Sequence, residues 1–250
     1  MNSQPAGKYL VVIPAYNEEA SLPQAVARLQ ALPADYELLI INDGSTDLTS
    51  EVSHELAATS RLPLHVVDLP MNGGIGVAVQ TGYLFAADSQ RYDYVIQYDA
   101  DGQHDAEAIT ALVEACDRRD LDICIGSRFL MRPPGAFRST FQRRVGIRFL
   151  AWLIGLLGRV KVTDPTSGFR CAGPRAWTAF AQQYPDDYPE PESLYWCVRN
   201  GLRVGEIPVV MYERTGGTSS IGPLRATYYI LKVTLAILVD RLRRKEDPLS

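Results

Sequence analysis

The sequence predicts an α/β protein built on a mostly parallel sheet with helices on both faces. Three observations lead there. Short apolar runs alternate with longer segments of helical periodicity over the first two-thirds of the chain. Those runs are nearly uninterrupted, as expected of strands covered on both sides rather than strands with one wet face. The 250 residues, 46% hydrophobic and 22% charged, suit one large domain with a substantial core.

Taken in order, "YLVVIPA" reads as a buried strand and "EEASLPQAVARLQAL" as a helix. "YELLIINDGS" is a second strand ending in turn residues. "TDLTSEVSHELAAT" is a helix with Thr46 or Asp47 as its expected N-cap. "LPLHVVDLP" is a third strand, and "NGGIGVAVQTGYLFAADS" opens on glycines and continues as a helix. "DYVIQYDADG" is a fourth strand, "DAEAITALVEACDRR" a helix and "LDICIGSRF" another strand. The polar turns "PAYNEE", "NDGSTD", "NGGIG" and "DADGQH" all fall at strand carboxyl ends. In a parallel sheet that puts them on one edge, where ligands bind. Beyond about residue 130 the pattern changes. "RPPGAFRSTFQRRVGIRFLAWLIGLLGRV" is arginine-rich and then apolar with helical character, and "VTDPTSGFRCAGPRAW" reads as a loop. The stretch from "YPDDYPEPE" to "GGTSS" reads as a helix, a short strand and a Gly/Ser loop. "PLRATYYILKVTLAILVDRLRRKED" is a last apolar helix with a basic tail.

Several function classes recede on composition. The net charge of −4 argues against a nucleic-acid partner. Arginine outnumbers lysine 21 to 4, and arginine suits flat, bidentate contacts with oxyanions. The four cysteines lack CxxC spacing and read as reduced, packed thiols of a cytoplasmic protein. The N-terminus is not a signal peptide, and no apolar run reaches the roughly 18 residues of a membrane span.

The chemistry concentrates in "YVIQYDADGQH". Two carboxylates, Asp99 and Asp101, follow a buried strand one residue apart. Alternate side chains of an extended segment point the same way, so the pair can converge on one cation. Mg²⁺ or Mn²⁺ takes one or two carboxylates and fills its other sites with water and phosphate oxygens. Gln103 or His104 offers a further ligand. A plain strand end with an Asx turn would place a single Asp here as well. A haloacid-dehalogenase-type phosphatase also carries DxDG after a strand, but that motif normally continues with Thr or Val and needs a downstream lysine. Here Gln103 follows, and Lys161, Lys232 and Lys245 stand in no such context. Asp43, in "IINDGSTD", either shapes a turn or accepts hydrogen bonds from a base or ribose. The glycines of "NGGIG" permit close backbone approach to a ligand at a helix start.

In this order, "VVIPAYNEEASL", "LLIINDGSTDLT", "NGGIGVAVQTG", "YDADGQHD", "SGFR" and "ERTGGTSSI" resemble family 2 glycosyltransferases. The similarity is to the dolichol-phosphate-mannose-synthase-like branch, which loads sugars onto polyprenyl phosphates, and it covers about residues 8 to 222. The resemblance implies a GT-A fold, a nucleotide-sugar donor, a divalent metal and inversion at the anomeric carbon. Carried over, Pro14, Tyr16, Glu18, Asp43 and Gly76 would frame the nucleotide. Asp99, Asp101 and Gln103 would hold the metal and diphosphate, and Arg214 would close over the diphosphate. The chain departs from close relatives at Ile75 and at the serines of "GGTSSI", where lysines are frequent, which leaves base and sugar open. The donor expected is a nucleotide-diphosphate sugar, UDP before GDP.

The expected organisation is a GT-A domain over 1–222 and an apolar, basic-tailed helix over 223–250. The domain divides into a Rossmann-like nucleotide-sugar-binding half, about 8–128, and an acceptor half, 129–222. A hydroxyl acceptor needs a general base, and Glu190 and Glu192 are the candidates. Glu192 is preferred, since the resemblance implies an acid at its distance before "GEIPV", although "YPEPE" itself is unlike the mannose synthases. A phosphate acceptor needs none. The arginines Arg128, Arg132, Arg138, Arg143 and Arg144 are either a solvated basic face or a site for an acceptor phosphate. The neighbouring apolar runs "FLAWLIGLL" and "YYILKVTLAILV" read as core helices, homo-oligomer contacts or anchors on an anionic membrane surface. The leading expectation is transfer to a polyprenyl phosphate at the cytoplasmic membrane face. Transfer to a cell-surface polysaccharide or other glycan is the alternative, and a non-catalytic nucleotide-sugar-binding protein the reading from another class.

Overall fold

A computed structural model describes residues 8–100, 107–131, 141–210 and 223–243. Among the described residues, seven strands form one sheet: β1 (Tyr9–Ala15), β2 (Tyr36–Asn42), β3 (Leu64–Asp68), β4 (Tyr94–Gln97), β5 (Ile123–Ser127), β6 (Arg170–Ala172) and β7 (Val204–Pro208). Their order is β3-β2-β1-β4-β6-β5-β7. All neighbours run parallel except β6, which is antiparallel to both β4 and β5. The helices are α1 (Leu22–Leu29), α2 (Thr49–Thr59), α3 (Ile75–Ser89), α4 (Glu107–Arg119), α5 (Phe141–Gly158), α6 (Pro174–Gln182), α7 (Pro189–Arg199) and α8 (Pro223–Leu242).

Alternation along the strands divides the core. Val11, Ile13, Leu38, Ile40 and Ile96 pack with Leu22, Val26, Ile109 and Leu112 of α1 and α4. Leu10, Val12, Leu39, Ile41 and Val95 pack on the other face with Ala78, Val79 and Tyr83 of α3 and Phe180 of α6. Both faces are dry, which is why these strands read as continuous apolar runs. A third cluster joins Leu150 and Ile154 of α5, Leu194 of α7, and Val233 and Ile237 of α8.

Two expectations are corrected. The stretch "VTDPTSGFRCAGPRAW" is not all loop: Arg170–Ala172 is a fully buried strand and α6 begins at Pro174. Three residues carry no readable alternation, and pairing on both sides is what makes them a strand. The N-cap of α2 is Leu48, not Thr46 or Asp47. Asp47 still satisfies the helix start: its carboxylate accepts from the Thr49 N–H at 3.0 Å and hydroxyl at 2.5 Å. Glu19 accepts from the Leu48 N–H at 2.8 Å. The turns after β1 and β2 are thereby stitched together.

Candidate active site

The site grows from the carboxyl end of β4. Tyr98 is fully buried, its N–H bonded to the Val12 carbonyl at 2.9 Å and its ring edge-on to Phe169. Asp99 follows, half-buried. Gly168 of "SGFR" lies against it. A Cβ there would stand 3.2 Å from both Asp99 carboxylate oxygens and 2.9 Å from the Gln97 amide nitrogen. Only a glycine lets this loop come so near the carboxylate without a neighbour giving way.

Arg170 ties that loop to α7. It is fully buried, and its guanidinium donates to the Ser167 carbonyl at 2.6 and 3.2 Å, Ser193 Oγ at 3.0 Å and the Glu190 carbonyl at 3.3 Å. Glu190, in the first turn of α7, is thus carried to the same place as Asp99. Burial raises the proton affinity of its carboxyl, and the Asp99 charge adds to this. The Arg170 charge and a hydrogen bond from Gln97 oppose it.

Glu192, the preferred base, is not brought to this place. Residues two apart on a helix do not share a face. Glu192 instead lines a cavity of about 220 Å³ with Phe180, Tyr184, Trp196, Ile237 and Asp240, between α6, α7 and α8. Burial pushes its carboxyl up to about 7; the Lys232 charge opposes this, and Asp187, Asp240 and Asp186 reinforce it. A carboxyl with a raised folded-state value binds more protons folded than unfolded between about pH 4.5 and 7. Stability therefore falls as pH rises through that window and levels off above it. Glu192→Gln is expected to flatten the Tm profile between pH 4.5 and 7 and to gain on the wild type above pH 7. An unchanged slope in that window would exclude the group as its source.

Arg128, expected at an acceptor phosphate, is gripped by Asp164. Its Nε and Nη2 donate to the two carboxylate oxygens at 2.6 and 2.7 Å, and Nη2 also reaches Thr166 Oγ1 at 2.9 Å. The Nη1 edge lies outside that fork. Glu206 of β7 fixes the same loop, accepting from the N–H groups of Thr163 and Asp164 at 2.8–2.9 Å. Arg143 and Arg144 lie in the first turn of α5, Arg143 exposed and Arg144 half-buried. Arg132, Arg138, Asp101, Gln103, His104 and Arg214 lie outside the described residues.

At the nucleotide end, Asp43 is buried and accepts from the N–H groups of Gly73 and Gly74 at 2.8 and 2.9 Å. Each oxygen holds one N–H of the glycine loop, so Asp43 fixes the shape of that loop. Gly76, expected to admit a nucleotide, admits protein instead. A Cβ there would stand 2.2 Å from the Pro185 and Asp186 carbonyl oxygens, and its N–H donates to Asp186 at 3.0 Å. Pro14 is buried within β1, paired with Ile41. Tyr16 is exposed at the strand end, and Glu18 hydrogen bonds Ser21 Oγ. Sequence reasoning missed Asp164, Arg170 and Tyr229, which approaches from α8. The first two stood in the visible "DPTSGFR" stretch, without a sign of what they hold.

The donor set at Asp99 suits a hard divalent cation. Its carboxylate is half-buried, and the Glu190 carboxyl is close enough to feel its charge, so a cation would relieve their repulsion. Among the described residues no group of three metal-ligating side chains forms. Asp99 is the described member of the expected set.

The sheet order, with half-buried Asp99 at the carboxyl edge and half-buried Glu190 near it, is that of a GT-A fold. Residues 10–176 match the family model described as glycosyl transferase family 2. The chain is 31% identical over 246 residues to polyprenol monophosphomannose synthase of Mycolicibacterium smegmatis, covering 96% of this chain and 91% of that protein. It is 28% identical to UDP-N-acetylglucosamine–dolichyl-phosphate N-acetylglucosaminyltransferase of Methanococcus voltae, covering 92% and 97%. Among solved structures, glucosyl-3-phosphoglycerate synthase from Mycobacterium tuberculosis, in complex with Mn²⁺, UDP and glucosyl-3-phosphoglycerate, superposes with a TM-score of 0.67 at 21% identity, over 94% of this chain and 80% of that one. The chain belongs to glycosyl transferase family 2, in its dolichol-phosphate-mannose-synthase-like branch, and is a hexosyltransferase.

Proposed function

We propose that this enzyme transfers a sugar from a nucleotide diphosphate, UDP before GDP, to a polyprenyl phosphate at an anionic membrane surface. A phosphate oxygen of the acceptor attacks the anomeric carbon as the bond to the nucleotide diphosphate breaks on the opposite face, so configuration inverts. A phosphate monoester is mostly dianionic near neutral pH and needs no base. Glu190 then orients the sugar beside Asp99. Asp99, with Asp101 and Gln103, would hold Mg²⁺ or Mn²⁺, which when bound supplies charge neutralisation at the departing diphosphate. Arg214 would add to it, and Asp43 shapes the loop that receives the nucleotide.

The observation that carries this reading is an apolar face beside the site. On α5, Val145, Phe149, Trp152 and Leu156 are exposed; on α8, Leu231, Leu235, Leu238 and Leu242 are exposed at the same spacing. The two helices pack together, Ile230 over Gly146. Exposed apolar stripes on two helices that pack together are a feature of interaction surfaces. With Arg143, Arg144 and Arg148 at one end, they suit reversible insertion into anionic lipid. No helix among the described residues is long and apolar enough to cross a membrane. The names of the sequence relatives, which include polyprenol, undecaprenyl-phosphate and dolichyl-phosphate transferases, support the acceptor class. A glycan hydroxyl acceptor is favoured by one observation, the raised proton affinity of Glu190, which is what a general base needs.

The test presents a panel of UDP- and GDP-sugars with polyprenyl phosphate in anionic or neutral vesicles, with and without Mn²⁺. The expected result is transfer from a UDP-sugar, dependent on Mn²⁺ and faster on anionic vesicles, with the protein floating with those vesicles at low salt. Transfer to an oligosaccharide but not to polyprenyl phosphate would overturn the acceptor assignment.

A further inference from the structure

The C-terminal helix does more than face outward. Tyr229 of α8 packs edge-on to Tyr188, ring centroids 4.7 Å apart, and Tyr188 immediately precedes α7 and Glu190. One turn along α8, Lys232 pairs with Asp187, and its ammonium lies 5.4 Å from the centre of the Tyr188 ring. Tyr229 is therefore bolted to the chain that delivers Glu190. It is half-buried, and its neighbour Ile230 packs on Gly146 of α5, one turn beyond Arg143. Burial pushes its hydroxyl up, the Glu190 charge adds to this, and the Arg143 and Arg128 charges pull it back. Arg128 in turn feels Asp99 and Tyr229.

We infer that Tyr229 is an acceptor-binding residue: its hydroxyl donates to the acceptor's phosphate, which Arg143 and Arg128 approach from α5 and the end of β5. A phenol with raised proton affinity stays a donor throughout the working range of pH. The arrangement is suited to a tetrahedral dianion. Arg143 supplies charge from α5, the Asp164-paired guanidinium of Arg128 offers N–H donors at the end of β5, and a neutral O–H supplies direction from α8. It also gives α8 a second task. The helix whose outer stripe meets the membrane carries on its inner side a contact to the phosphate, so an acceptor embedded in the bilayer would meet both at once. This inference rests on the phosphate-acceptor reading above.

The test compares the full-length wild type with Tyr229→Phe, which keeps the ring on Tyr188 and removes only the hydroxyl. The probes are farnesyl phosphate, inorganic phosphate as competitor, and phosphatidylglycerol vesicles. The KM and directly titrated Kd for farnesyl phosphate should rise about 10- to 100-fold in the variant, the range for a hydrogen bond to a charged group. Inhibition by inorganic phosphate should weaken in step, with the donor KM within about twofold and vesicle affinity unchanged, on the same grounds. An unchanged Kd for farnesyl phosphate would overturn the inference, as would a loss of vesicle affinity that accounts for the whole effect, since the ligand would then be a lipid headgroup. Equal losses in donor and acceptor KM would mean a packing role and overturn it too. If the wild type itself ignores farnesyl phosphate but glycosylates a glycan, the acceptor reading has failed first, and this inference falls with it.

Discussion

Asp99→Asn is expected to reduce sugar transfer by about 10²-fold or more, the usual cost of losing one contact that stabilises charge developing in a transition state. The substitution keeps shape and removes charge. Asp99 lies outside the strand ladder, past Gln97, so the sheet's hydrogen bonds do not depend on its carboxylate. Circular dichroism should therefore match the wild type. A second consequence separates this from misfolding. The Asp99 charge contributes to the raised proton affinity of Glu190, so the variant should bring the Glu190 carboxyl closer to the ordinary carboxylate range. Carbon-detected NMR of the glutamate carboxyls reads this directly. Calorimetric titration with Mn²⁺ and UDP supplies the other arm: affinity should rise with the cation in the wild type and not in the variant. Undiminished activity in EDTA would remove the metal from the site.

The sheet was legible because its physics is local to each strand. Residues such as Val11 to Ile13 and Leu38 to Ile41 are buried on both faces and announce themselves as apolar runs. β6 was not legible, because three residues become a strand only by lying between β4 and β5. The site divides the same way. The motif order singled out Asp99, Asp43 and the SGFR loop, yet their partners come from far along the chain. Asp43 turns out to hold Gly73 and Gly74, thirty and thirty-one residues on. Gly76 makes room for Pro185 and Asp186, which no spacing rule connects with it. Between Glu190 and Glu192, sequence spacing favoured the latter. The direction of each side chain around α7 depends on where the helix is docked, and buried Arg170 fixes that docking through Ser193 and the Glu190 carbonyl. Arginines of "SRF" and "RRVGIR" read alike in sequence. One proves to be locked to a carboxylate 36 residues away, while Arg143 stands exposed.

That lock yields the largest expected effect on stability. Asp164 is fully buried and Arg128 has a side-chain exposure of 15%. The carboxylate also accepts from the Arg128 N–H at 3.2 Å and the Thr166 hydroxyl at 3.2 Å. Asp164→Ala leaves a desolvated guanidinium without its counter-charge, a change that costs roughly 3–5 kcal/mol. For a chain of this length that corresponds to a fall in Tm of about 6–20 °C. Arg128→Ala strands the fully buried carboxylate and should cost a similar amount. The double variant removes both charges, so its loss should be well below the sum of the two single losses, with a coupling of about 1–3 kcal/mol. Arg128→Lys keeps the charge but not the two-pronged fit, and should fall between wild type and Arg128→Ala. Activity should fall with Asp164→Ala even at temperatures where the variant is folded. The loop that Asp164 anchors is the one that sets Gly168 against Asp99, and a displacement of about 1 Å at a reacting group can cost 10²-fold. A Tm within about 2 °C of wild type for Asp164→Ala, well short of the shift expected for a buried pair, would show that Arg128 finds solvent when released and that the pair is no structural lock.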